Sequence, residues 1–155
     1  MHSFVIRPAA YGDSEAVAAI AQSAYVHYVT RMNAKPAPML EDYGARIAAN
    51  QVHVLAIRDG GGESVQGFLV LEPRDGCMLL DNVAVAPEMQ GRGYGKALIG
   101  YAADKAKAAG YARIALYTNE AMAENIRLYT RLGFTETHRA REKGFNRVFM
   151  TKSLL

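Results

Sequence analysis

The chain has 155 residues, half of them apolar and about a fifth charged, with a net charge of +3 and one cysteine. That length suits one domain with a real core, and scattered Lys and Arg give little support to nucleic-acid binding. A single cysteine excludes an intramolecular disulfide and fits a reducing compartment. No apolar run reaches membrane-spanning length and no signal-peptide pattern opens the chain, so a cytoplasmic protein without membrane association is expected.

Phe4 to Arg7 reads as a first strand, stopped by Pro8. Asp13 suits a helix cap, and Val17, Ile20, Ala21, Ala24 and Tyr28 then recur at helical spacing. Residues 31 to 40 carry Pro36 and Pro38 without a period and read as a loop, followed by a short helix from about Glu41 to Ala49. Val52–Ile57, Val65–Leu71 and Met78–Val85 read as strands joined by Gly-containing turns. An Ala/Leu-rich helix follows over Ala97–Ala109, and then a strand over Ala112–Tyr117. Asn119 to Gly133 is a further helix, with Asn119 as its cap and Gly133 as its left-handed stop. Thr135–Arg141 and Phe145–Thr151 are the last strands, joined at Lys143-Gly144.

The most informative stretch is Gln90-Gly91-Arg92-Gly93-Tyr94-Gly95-Lys96, between a strand and a helix. A Gly-rich turn at a helix N-terminus offers unpaired backbone N–H groups to an anion, and the helix dipole favours negative charge there. Arg92 and Lys96 add positive charge. The spacing is neither a P-loop, which needs a Gly at position 90 and Ser or Thr at 97, nor a G-x-G-x-x-G dinucleotide fingerprint. It is Q-x-x-G-x-G.

With the preceding Asn82-Val83-Ala84-Val85-Ala86-Pro87, this spacing resembles motif A of the GNAT superfamily of acyl-CoA-dependent N-acetyltransferases. Leu128-Tyr129-x-x-Leu132-Gly133-Phe134 resembles the end of that family's motif B, in the family's order and separation. The resemblance implies an α/β (mixed α+β) fold over residues 1–155 as a single domain. Its centre would be a mixed, mostly antiparallel twisted sheet of about seven strands flanked by four helices, matching the element order above. It implies acetyl transfer from acetyl-CoA to a primary amine by direct attack in a ternary complex, with no metal.

By the same resemblance, the coenzyme contacts fall on Val83, Ala84 and Val85, where pantetheine pairs with a splayed strand. They also fall on the turn Gln90, Gly91, Arg92, Gly93, Tyr94, Gly95 and Lys96, which wraps the pyrophosphate, and on Asn119 and Asn125. Motif B usually has Ala where Asn125 stands. Tyr129 matches the tyrosine that protonates the leaving thiolate; a phenol titrates near ~10, close to an alkyl thiol. Many relatives carry Glu where this chain has Asn82, which cannot act as a base. Asp81 should face the other way unless a bulge intervenes. Ordered water, Glu41, Asp42 and Glu72 stay open as bases.

The acceptor wall is expected between Tyr25 and Tyr43, with Tyr25, Tyr28 and Met39 as contacts. The acceptor is a small-molecule amine or an exposed protein or peptide amine, and a homodimer is compatible with the sequence. A non-catalytic acyl-CoA-binding or sensing module on the same fold is the alternative. No metal-ligand spacing links His27, His53 and His138.

Overall fold

Seven strands build one sheet in the computed structural model, which describes residues 3–155. They are β1 (Ser3–Pro8), β2 (Val52–Asp59), β3 (Gly62–Arg74), β4 (Cys77–Val85), β5 (Arg113–Asn119), β6 (Thr135–Glu142) and β7 (Phe145–Ser153), in the spatial order β1-β2-β3-β4-β5-β7-β6. Only β4 and β5 run parallel. A helix must carry the chain back between parallel neighbours, and α4 (Tyr94–Ala108) does so.

The other helices are α1 (Ser14–Tyr25), α2 (Tyr28–Met32), α3 (Tyr43–Ala48) and α5 (Ala123–Arg131). The count exceeds the expected four because the first helical pattern breaks after Tyr25 and resumes as α2, which ends at Asn33 in the left-handed region (φ 53°). The segment read as a loop over residues 31 to 40 therefore begins inside a helix, and its prolines permit only a 3₁₀ turn, Ala37–Met39. Asp13 precedes α1 but does not cap it with its side chain. Its carboxylate instead accepts from the Ala10 N–H at 2.8 Å and from Arg7 Nη1 at 2.9 Å. Asp42 does cap α3, accepting from the Ala45 N–H at 3.1 Å.

Strand alternation sends one set of side chains to each face of the sheet. Leu55, Leu69, Leu71, Leu80, Ile114 and Met150 meet α4 and α5 through Leu98, Ala102 and Tyr129. Val54, Phe68, Val70 and Ala84 meet α1 and α3 through Val17, Ile20, Tyr43 and Ile47. On β4 this alternation is broken. Leu80 faces α4, while Ala84, at the same parity, faces α1. The cause is a bulge: Val70 pairs with Asn82 and Leu71 with Leu80, so Asp81 is an extra residue without a partner on β3.

Candidate active site

β4 and β5 pair only over Met78–Leu80 and Ile114–Leu116. Beyond these residues the strands part. Asn82 and Val83 of β4 and Tyr117 to Asn119 of β5 line a cavity of about 390 Å³, while Ala84 and Val85 do not reach its lining. Backbone groups on the parted β4 edge have no strand to pair with, and a buried carbonyl needs some partner. The structure supplies side chains: Val83 O lies 3.0 Å from the Tyr25 hydroxyl, and Val85 O accepts from Gln90 Nε2 at 3.1 Å.

α5 delivers Tyr129 to the same cavity, and the sequence around it explains how. The Phe134 N–H donates to Tyr129 O at 3.0 Å, and the Gly133 N–H to Thr130 O at 3.1 Å. Gly133 sits at φ 98°. This is a Schellman stop, in which an apolar residue just past the helix packs back on its last turn. Here Phe134 meets the Tyr129 ring at 6.0 Å between centroids. The Tyr-x-x-Leu-Gly-Phe string thus encodes the helix end and fixes the tyrosine ring in one motif. Tyr129 is 7% exposed and lines the cavity. Among the described residues its hydroxyl has no hydrogen-bond partner, and no fully buried side-chain polar atom is left unpaired, so this hydroxyl keeps an accessible face. Burial, with a smaller contribution from Tyr28, pushes its phenol above the ordinary tyrosine range, so it is held as a proton donor.

The bulge turns both Asp81 and Asn82 into the cavity lining. Asp81 accepts from the Tyr117 hydroxyl at 3.0 Å and from Arg46 Nη2 at 3.2 Å. Burial and the Asp81 charge raise the Tyr117 phenol to about 12. Asn82 is engaged at both polar ends: Oδ1 accepts from the Tyr25 hydroxyl at 2.7 Å, and Nδ2 donates to the Tyr43 hydroxyl at 2.9 Å. Tyr43 in turn donates to Pro38 O at 2.6 Å. One amide therefore ties α1, α3 and the Pro36–Leu40 segment together. Burial raises the Tyr25 and Tyr43 phenols, so both stay protonated as this network requires.

The other carboxylates considered as bases are engaged. Glu41 accepts from Arg46 Nε at 2.6 Å, Glu72 lies 3.0 Å from Arg74 Nη2, and Asp42 caps α3. Arg46, Tyr43, Tyr117 and Arg147 were not singled out from the sequence as site residues. Arg46 shows why: its partners Asp81 and Glu72 lie on strands far along the chain, and no local pattern marks it.

The Gly-rich turn lies outside the cavity lining, at the start of α4. Gly93 is the N-terminal cap residue at φ 87°, and Gly91 stands at φ 81°. Both conformations favour glycine, and a Cβ added at either would meet nothing within 4 Å. The space over the turn is therefore open to a ligand. Arg92 and Lys96 are exposed there with no ion-pair partner among the described residues. Tyr94 packs edge-on against Phe4 at 5.4 Å.

Of the remaining candidates, Tyr25, Val83, Asn119 and Asn125 line the cavity with Tyr129. Asn119 does not cap α5, which starts three residues later than expected after Met122. Its Oδ1 accepts from the Ala121 N–H at 2.9 Å and shapes the turn before the helix. Tyr28 and Met39 stand behind the lining. The Tyr28 hydroxyl is 3.4 Å from Glu124 Oε2, and Met39 O accepts from Gln22 Nε2 at 2.7 Å. Among the described residues no group of His, Cys, Asp and Glu is placed to hold a metal, and no helix is long and apolar enough to cross a membrane.

Glu124 also pairs with Arg31 at 2.8 Å, which joins α2 to α5 and holds the Glu124 carboxyl down at about 2, against 4.5 for a free one. A folded-state value below the unfolded one contributes stability above about pH 4.5, and this is lost as pH falls toward about 2. Glu124→Gln should therefore lower the urea midpoint slightly near neutral pH, as an exposed pair is weak, and the gap from the parent should close near the acid end. A gap that grows on acidification would contradict this.

The half-open sheet, the turn over α4 and the buried phenol are the features that the resemblance to acyl-CoA-dependent N-acetyltransferases implies. The sequence model of the acetyltransferase (GNAT) family matches residues 15–134. The chain belongs to that family. Solved structures with the same fold include a PaiA N-acetyltransferase from Thermoplasma acidophilum in complex with coenzyme A (TM-score 0.75, 18% identity, 97% of this chain and 99% of that one). They also include the ribosomal-protein-S18-alanine N-acetyltransferase from Escherichia coli (0.73, 22%, 98% and 94%) and YncA from Salmonella typhimurium with its cofactor acetyl-CoA (0.73, 25%, 99% and 95%). No curated protein sequence matches the chain significantly.

Proposed function

We propose that this acetyltransferase acts as a single domain and moves an acetyl group from acetyl-CoA to a primary amine by direct attack in a ternary complex. The observation that carries the reading is the Tyr129 hydroxyl, on a buried residue and without a hydrogen-bond partner among the described residues, at the cavity between β4 and β5. The N–H groups from Gly91 to Lys96, with Arg92 and Lys96, hold the pyrophosphate. Pantetheine lies along Val83, Ala84 and Val85 as an added strand, with Asn119 and Asn125 on the facing side. The neutral amine attacks the thioester carbonyl carbon, the C–S bond breaks as the adduct collapses, the departing thiolate takes the Tyr129 proton, and the proton shed by the new amide nitrogen returns through water to the tyrosinate. Asn82 holds no basic lone pair and both its polar ends are taken, so the ammonium proton leaves through water.

The acceptor is a small primary amine or an exposed α-amino group. Tyr25 forms part of its wall, with Tyr28 and Met39 supporting that wall from behind. One of the solved structures above is named as the N-acetyltransferase of an alanine of a ribosomal protein, which supports keeping protein amines in the class. The single cysteine is consistent with a reducing, cytoplasmic setting. An acceptor screen that follows free CoA, beside a thermal-shift titration with acetyl-CoA, tests the reading. Stabilisation by acetyl-CoA with no CoA release from any amine would instead mark a binding module. Met32, which lines the cavity, offers a second test. Met32→Ala should alter kcat/KM ratios among amines by about tenfold, because apolar pocket contacts discriminate on that scale. Acetyl-CoA affinity should hardly move. Lost coenzyme binding with unaltered amine preference would place the acceptor elsewhere.

A further inference from the structure

Arg147 on β7 is held in place without being used up. Its side chain is 12% exposed, and its guanidinium carbon lies 4.3 Å from the centre of the Tyr117 ring. Nη1 donates to Glu142 Oε1 at 3.1 Å. Among the described residues Nε and Nη2 have no partner, and since no fully buried side-chain polar atom is left unpaired, these N–H groups keep an accessible face on a residue that lines the cavity. Lys143, in the turn between β6 and β7 at φ 52°, lines the same cavity and has no carboxylate within ion-pair distance among the described residues. Arg46 is the contrast. Each of its three nitrogens donates, to Glu41, Gln51 and Asp81, so its charge is spent on the two acids of the lining, Glu41 and Asp81. The β6–β7 side of the cavity thus carries two cations with N–H groups unpaired among the described residues: Lys143, and Arg147, which keeps Nε and Nη2 beside its one ion pair to Glu142 and is a planar fork fixed against an aromatic ring. Such a fork matches a carboxylate and is a poor host for a second positive charge.

We infer that Arg147 and Lys143 form a subsite for a carboxylate on the acceptor, so that the amine acetylated is an amino acid-like zwitterion and not a polyamine or other polycation. The inference rests on the amine-acylating reading of this cavity. The acceptor's anionic end lies at the hairpin of β6 and β7, and its amine points inward toward Asn82 and Tyr129.

The test uses matched acceptors: free amino acids, their amides and their decarboxylated amines. Free CoA is followed with the parent protein, Arg147→Gln, Arg147→Lys and Lys143→Asn, the last chosen because Asn tolerates the left-handed backbone at 143. The acids should be preferred over their amides by about tenfold or more, as expected for one charge-assisted pair. The preference should vanish in Arg147→Gln and shrink in Arg147→Lys and Lys143→Asn. The acetyl-CoA thermal shift certifies that each variant is folded, and Arg147→Lys and Lys143→Asn carry the test if Arg147→Gln is not. In parallel, the Arg147 Nε–H resonance of ¹⁵N-labelled protein is followed on adding an amino acid or its amide. It should move with the acid alone.

Equal use of acids and amides, or a preference that survives in a folded Arg147→Gln, overturns the subsite while leaving acyl transfer intact. Absence of both CoA release and an acetyl-CoA shift overturns the acyl-transfer reading, and the Nε–H signal then still decides the subsite. No movement with any amino acid rejects it.

Discussion

Replacing Tyr129 with phenylalanine should lower kcat by about 10²-fold, toward the lower end of what general acid catalysis supplies, because coenzyme thiolate is already a fair leaving group. Acetyl-CoA affinity should change little. The structure adds a second expectation. The Tyr129 hydroxyl meets no partner among the described residues, whereas the ring packs on Phe134. Removing the oxygen therefore breaks no internal hydrogen bond, and the thermal midpoint should hold or rise slightly. Activity and stability should separate cleanly. Full kcat in Tyr129→Phe with a good amine would make the tyrosine a packing residue and assign the proton to water.

Gly93→Val should weaken acetyl-CoA binding by about tenfold or more, the scale of losing a charge-assisted contact between backbone N–H and phosphate. Two effects are mixed in that variant. A branched residue at φ 87° is strained, and its side chain occupies the open space above the turn. Gly110 separates them. It stands just past the other end of α4 at φ 90°, and a Cβ there would also meet nothing within 4 Å. Gly93→Ala and Gly110→Ala should cost similar stability, since each forces Ala into the same left-handed region. Only the change at 93 should reduce coenzyme affinity. Equal affinity in both, or parental affinity in a folded Gly93→Val, would remove the pyrophosphate from this turn.

The parts of this molecule that follow from short-range chemistry were legible in the sequence. The Gly133 stop is one, since Tyr129, Gly133 and Phe134 lie within one helix turn and its exit. The strand order of types is another, since alternation and Gly-rich turns act locally. Asn119 misled because an Asn that opens a turn and an Asn that caps a helix carry the same side-chain bond. Only the backbone at Met122 decides where α5 begins. The break between α1 and α2 was hidden because Tyr28 keeps the apolar spacing across it. Another part of the cavity was hidden for a different reason. Tyr43 and Arg46 come from α3, Tyr117 from β5, and Lys143 and Arg147 from the β6–β7 hairpin, and only the assembled sheet brings them to one cavity.

Asp81 has a meaning beyond its bonds. One unpaired residue divides β4 into two half-strands that present opposite parities to the protein. In the first half an even-numbered residue, Leu80, belongs to the α4 layer; in the second the even-numbered Ala84 belongs to the α1 layer and the odd-numbered Val85 to the α4 layer. Changing what faces the cavity would ordinarily take several substitutions; here the length of the strand sets it. Deleting a single position would rotate Asn82 to Val85 by one face, bury a different set of atoms and withdraw the Asn82 amide from both tyrosines. The chemistry of this pocket is thus written partly as a count of residues, and a shortened relative could keep every motif letter yet present another surface to its substrate.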